Sequence, residues 1–171
     1  GNRSNVPAGD LYIASGCRST SPDGNLLATF PIYTWLPNTT AVLYFAATSV
    51  SNEGGDTKNG MHAGKKIHLE GLKNLSREIK NNGAASILQL FHVGAQGNTN
   101  YSGQKVVGPS EYIVPDIGIK AEVLSIDQIK RIEDDFVKCI YQAHEAGFDF
   151  IELHLAHGYL LHEFFSPHTN K

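Results

Sequence analysis

At 171 residues, with 14 Lys and Arg against 17 Asp and Glu and a formal net charge of −3, the chain is long enough for one domain with a real core. It lacks the basic footprint that nucleic acid requires, and no run approaches the roughly 18 apolar residues of a membrane span. Its two cysteines, Cys17 and Cys139, lie far apart, which argues against a disulfide framework and for a reducing, cytoplasmic setting.

The opening GNRSNVPAGD carries no apolar secretion segment. DLYIASGC reads as a short first strand and TAVLYFAATSV as a second. A helix should connect them, but Pro31 and Pro37 interrupt NLLATFPIYTWLPNTT. LEGLKNLSREIKNNG then places Leu69, Leu72, Leu75 and Ile79 on one helix face, and Gly83 closes it. AASILQLFHVG reads as a third strand. Residues 94–124 hold many turn residues and little periodicity, and a loop that long is usually functional or a lid. Ser125 with Gln128 three residues on is the capping-box pattern, and Leu124 and Ile129 flank it as a hydrophobic staple would. Ile129, Ile132, Phe136, Ile140 and Ala143 recur at helical spacing, and Gly147 ends that helix. FDFIEL reads as a short buried strand. Strands alternating with amphipathic helices predict a parallel sheet or barrel.

In such folds, sites form at the carboxyl ends of strands. Cys17 follows the first strand, Ala47 and Thr48 the second; Gln89 and His92 close the third, and His154 and His157 the fourth. Two imidazole donors converging on one oxygen would stabilise negative charge there, which suits a carbonyl or an enolate. Tyr159 lies two residues on and could deliver a proton. The rival is a metal held by His154, His157 and His162, since imidazole binds zinc, copper, iron and nickel. The segment has no HExxH spacing, however, and Glu152 and Glu163 have no obvious place in such a site. For His162 and His168 a capping or solvent-facing role is expected. An amide such as Gln89 inside SILQLF is costly unless partnered. It either bonds to the backbone of a neighbouring strand or reads the edge of a heterocycle. Cys17 is either a small buried hydrophobe or a site residue.

At these residues the chain resembles the Old Yellow Enzyme family of flavin-dependent ene-reductases. AGFDFIELHLAHGYLLHEFFSPHTNK is similar to that family's fourth-strand signature, in the version with two histidines rather than histidine and asparagine. ILQLFHVG resembles its third-strand motif, FAATSVSNEG the end of its second strand, and GCRSTSPDG more faintly its first. Residues 1–42 match poorly. The resemblance implies an eight-stranded (β/α) barrel with FMN across the strand ends, of which this chain holds about the first four β/α units as one partial domain. It also implies that NADH or NADPH reduces the flavin, and that the hydride then passes to the β-carbon of an unsaturated carbonyl substrate. By position, His154 and His157 would bind the carbonyl oxygen and Tyr159 would protonate the α-carbon. Gln89 would hydrogen-bond the pyrimidine side of FMN, Ala47 would pack beside it, and Cys17 matches a flavin-tuning cysteine.

A barrel of this type typically needs roughly 250 residues. The expectation is a fragment of a longer polypeptide, since SPHTNK breaks off inside the motif. The alternatives are a chain that pairs with a second one, and a non-catalytic half-barrel that self-associates through an unpaired sheet edge.

Overall fold

The computed structural model of this chain describes residues 11–14, 41–56, 60–115 and 118–171. Cys17 and the segment interrupted by Pro31 and Pro37 lie outside the described residues.

Four strands make one parallel sheet: β1 (Leu11–Ala14), β2 (Ala41–Ser49), β3 (Ala84–Phe91) and, later in the chain, β6 (Phe150–Leu153). They lie side by side in the order β1, β2, β3, β6. Leu43 pairs with Ser86 and Leu88 with Ile151 across the sheet. Between Phe45 and Thr48 the register of β2 against β3 shifts. Three steps on β2 then match two on β3, from Leu88 to Leu90, and a bulge of this kind re-aims the chain next to a strand end. Among the described residues the sheet does not close into a barrel.

Helix α1 (Leu69–Asn81) joins β2 to β3, and α3 (Ile126–Glu145) joins β3 to β6. Both form where the apolar spacing demands. Ser125 accepts from the Gln128 N–H at 3.2 Å, and Gln128 Oε1 accepts from the Ser125 N–H at 2.8 Å, completing the capping box. Gly83 and Gly147 follow the two helices at φ of 79° and 86°. Leu72, Ile132, Phe136 and Ala143 join Leu88 and Leu90 in the main core, and Ile79 is fully buried as well. One position departs from the predicted face. Ile140 is left 37% exposed, and its neighbour Cys139 is fully buried instead. Burial pushes the Cys139 thiol up to about 12, so it is a small core hydrophobe.

Residues 94–124 are more ordered than the sequence predicts. They contain a 3-10 turn at Gly94–Gln96, a short helix α2 (Thr99–Ser102) and a two-stranded parallel pair, β4 (Val107–Gly108) with β5 (Glu122–Val123). Ala95, Val106, Val114 and Ala121 give the segment its own small core. Single-strand pairings this short carry no periodicity to read. A final helix, α4 (Leu160–Phe165), follows β6.

The expected buried strand FDFIEL is instead an edge. Phe150 is 55% and Leu153 43% exposed, because β6 has only β3 beside it among the described residues.

Candidate active site

Alternation along β3 and β6 sorts the side chains. Leu88, Leu90 and Ile151 face the helices and belong to the main core. Gln89, Phe91, Glu152 and His154 therefore share the opposite face. Gln89 sits across from Glu152 in the register and donates from Nε2 to Glu152 Oε1 at 3.0 Å. This bond joins it to a side chain of the neighbouring strand, where the sequence predicts a backbone partner.

His154 stands just beyond β6. Its N–H donates to Leu90 O at 2.9 Å, extending the pairing by one step. Its Nδ1 accepts from the Ala156 N–H at 3.2 Å. An accepting Nδ1 leaves the proton of a neutral ring on Nε2. That nitrogen lies 3.1 Å from His157 Nδ1, with the two rings edge to face at 4.9 Å. Burial first, and then the neighbouring His157, hold His154 below its usual pKa, while Glu152 pulls the other way. The ring is therefore neutral near pH 7 and offers a proton rather than a charge. His157 reaches this position through a left-handed backbone, φ 59°, which costs a side-chain-bearing residue about 1–2 kcal/mol.

Tyr159 completes the cluster. Its ring lies 4.9 Å from His154 and stacks on Phe91 at 5.4 Å. The structure thus brings His154, His157 and Tyr159 together, with Gln89 on the same sheet face. Ala47 lies within the register shift near the end of β2. Cys17 lies outside the described residues. His162 is exposed and accepts from the Gly158 N–H at 2.9 Å, and exposed His168 packs edge-on against Tyr112. Both behave as capping or surface residues. Among the described residues no group of three or more His, Cys, Asp or Glu is arranged to hold a metal ion.

Two residues behind the cluster matter more than the sequence suggests. His92 is 1% exposed and its Nδ1 accepts from the Gly94 N–H at 3.1 Å. Burial, helped by the charge of Arg131, lowers its pKa to about 3, so it is a neutral core histidine. Glu163 is 2% exposed, and its Oε1 accepts from the Ala95 N–H at 2.8 Å. Burial raises its carboxyl to about 7 against that bond. Gly94 (φ 60°) lies against it, and a Cβ there would come within 2.6 Å of the carboxylate. The one sequence signal for Glu163 is its place three residues after Leu160, on the buried side of YLLHEFF.

The sequence profile of the NADH:flavin oxidoreductase / NADH oxidase family matches residues 15–171. An NADPH dehydrogenase of Listeria welshimeri is 33% identical over 132 residues, covering 77% of this chain and 38% of that protein. An NADPH dehydrogenase of Bacillus subtilis is 32% identical over 124 residues, covering 72% and 36%. The chain thus spans well under half the length of these curated relatives. The solved structure of an old yellow enzyme homologue from Zymomonas mobilis superposes with a TM-score of 0.72 at 29% identity, over 75% of this chain and 39% of that one. That likeness supports the (β/α)8 barrel fold family.

Proposed function

This chain belongs to the NADH:flavin oxidoreductase / NADH oxidase family, and on that premise we propose that it carries the substrate-binding and proton-donating half of an FMN-dependent NAD(P)H oxidoreductase. Its described strands are read as the first four of a (β/α)8 barrel. The substrate class is small unsaturated carbonyl compounds, and the reaction is reduction of the activated C=C bond. The observation that carries this reading is the His154–His157–Tyr159 cluster at the end of β6.

The donor chemistry fits the cofactor. The Gln89 side chain is a primary amide, able to donate and accept at once, as the edge of a flavin pyrimidine requires. It lies on the sheet face that leads to the histidines. Gln89 would hydrogen-bond the pyrimidine edge of FMN, Ala47 would pack beside the ring, and Cys17, after the first strand, would tune it. When bound, FMN would supply the hydride obtained from NADH or NADPH. The chain's own residues do the rest. His154 Nε2–H, now directed at His157 Nδ1, turns to a substrate carbonyl oxygen, a better-charged acceptor as the enolate develops. His157 contributes the second donor. Tyr159, its ring fixed between Phe91 and His154, delivers the proton to the α-carbon.

A second reading is favoured by the apolar edge. Phe150, Leu153 and Leu155 are 55%, 43% and 44% exposed, which suits a half-barrel that pairs with itself or a second chain.

Replacing His154 and His157 together by Ala should abolish phenol binding to the flavin-loaded protein, read as loss of the long-wavelength absorbance change. Unchanged phenol binding overturns the assigned pair. Loss of stoichiometric metal on the same substitutions would establish the metal-site reading instead.

A further inference from the structure

We infer that Gln96 is a positioning residue: its side-chain amide fixes the His157 peptide and so aims the His157 ring at His154. The inference rests on the reading of that pair as carbonyl donors, but its test is separable from it.

His157 is the one non-glycine residue at positive φ among the described residues. Such a backbone persists only where the surroundings over-determine it. Here the fixing contact comes from far along the chain. Gln96 Nε2 donates to His157 O at 2.6 Å across 61 positions of sequence. The next residue, Gly158, is shaped for this contact. It has φ 72°, and a Cβ built there would run into Gln96 Nε2.

Gln96 is itself held. Its N–H donates to Val93 O at 3.2 Å, closing the 3-10 turn after β3. Beside it the Ala95 N–H donates to Glu163 Oε1 at 2.8 Å, and Leu160 N–H donates to His92 O at 2.9 Å. Residues 92–96 thus hold the segment after β6 through these bonds: two fix helix α4, and the Gln96 bond fixes the peptide of His157.

The test labels the histidines with 15N and reads the scalar coupling across the His154 Nε2···His157 Nδ1 hydrogen bond, which needs no flavin, substrate or turnover. The native protein should show it. Gln96→Ala and Gln96→Glu, the latter isosteric but facing oxygen with oxygen, should lose it. Gln96→Lys restores a donor and should regain it. The Ala variant should melt no more than about 4 °C lower, the shift expected for one lost hydrogen bond. Coupling that survives in Gln96→Ala overturns the inference. Coupling lost in the Lys variant as well, together with a larger fall in Tm, also overturns it, because a general structural role then explains the residue. In the flavin-loaded protein Gln96→Ala should weaken phenol binding about tenfold. If the coupling behaves as expected and phenol binding does not change, the positioning stands and the carbonyl-donor reading of the pair falls.

Discussion

Strands β3 and β6 are neighbours in the same parallel sheet and both read as apolar runs, yet they live in different environments. Leu88 and Leu90 of β3 are fully buried, and Phe91 is 2% exposed. Phe150 and Leu153 of β6 are 55% and 43% exposed. The difference is not in their composition. β3 has a strand on each side and helices behind it, whereas β6 has β3 alone among the described residues. Burial of a parallel strand is a property of its neighbours. The proposed site sits on the less supported strand: His154, His157 and Tyr159 all follow β6. Their positions are nevertheless referred to β3, through His154 N–H to Leu90 O and Leu160 N–H to His92 O, both at 2.9 Å. A rigid strand and its loop lend geometry to the exposed one.

Paired truncations break this comparison most directly. Leu88→Ala should cost about 2–5 kcal/mol, as for a fully packed leucine. Leu153→Ala should cost about 1 kcal/mol or less. Denaturant titration gives both numbers, and equal losses would mean that β6 is covered in solution.

The second prediction concerns the grip between the two loops. The folded Glu163 carboxyl titrates near 7 against an ordinary 4.5. The folded state therefore binds that proton more tightly than the unfolded chain. Its contribution is fully present below pH 4.5 and is lost as pH rises to 7, a change on the order of 3 kcal/mol. His62 and His92, lowered to about 4 and about 3 chiefly by burial, act with the opposite sign. They favour unfolding as pH falls below 6.5. Glu163→Gln should remove only the first trend. Its Tm should rise more steeply than the native protein's between pH 4.5 and 6.5, and should not decline from 6.5 to 7. Parallel Tm–pH curves would show that the carboxyl is solvated.

The smallest effect lies on the helix that leads into β6. Ser125→Ala removes one half of the α3 capping box and should cost about 1 kcal/mol, measured by the same titration. A cost within error would show that α3 is held by its packing alone.

What the sequence discloses, and what it conceals, follows from the range of the interactions involved. Helices α1 and α3 were legible because their apolar spacing and the Ser125–Gln128 cap are local. So were the strands and the gathering of His154, His157 and Tyr159, which one short segment supplies. The exposure of β6 was not legible, since it depends on what lies alongside. Nor was the ordering of residues 94–124, whose core of Ala95, Val106, Val114 and Ala121 joins residues without a common period. Cys139 displaced Ile140 from the buried face because packing against Val50, whose carbonyl lies 3.6 Å from its Sγ, suits a small side chain. Glu163 is not legible in the sequence because a carboxylate in a short helix ordinarily reads as solvated. Its partner, the Ala95 amide, is 68 positions away.

The left-handed turn at His157 has a consequence beyond holding one ring. At φ 59° the peptide tolerates a short vocabulary: glycine, and among side chains chiefly asparagine, aspartate and histidine. Of these, only histidine and asparagine can offer a neutral N–H to an oxygen at pH 7. For the donor role proposed for His157, this backbone thus favours two side chains, histidine and asparagine. The choice is narrowed by peptide geometry before any substrate arrives.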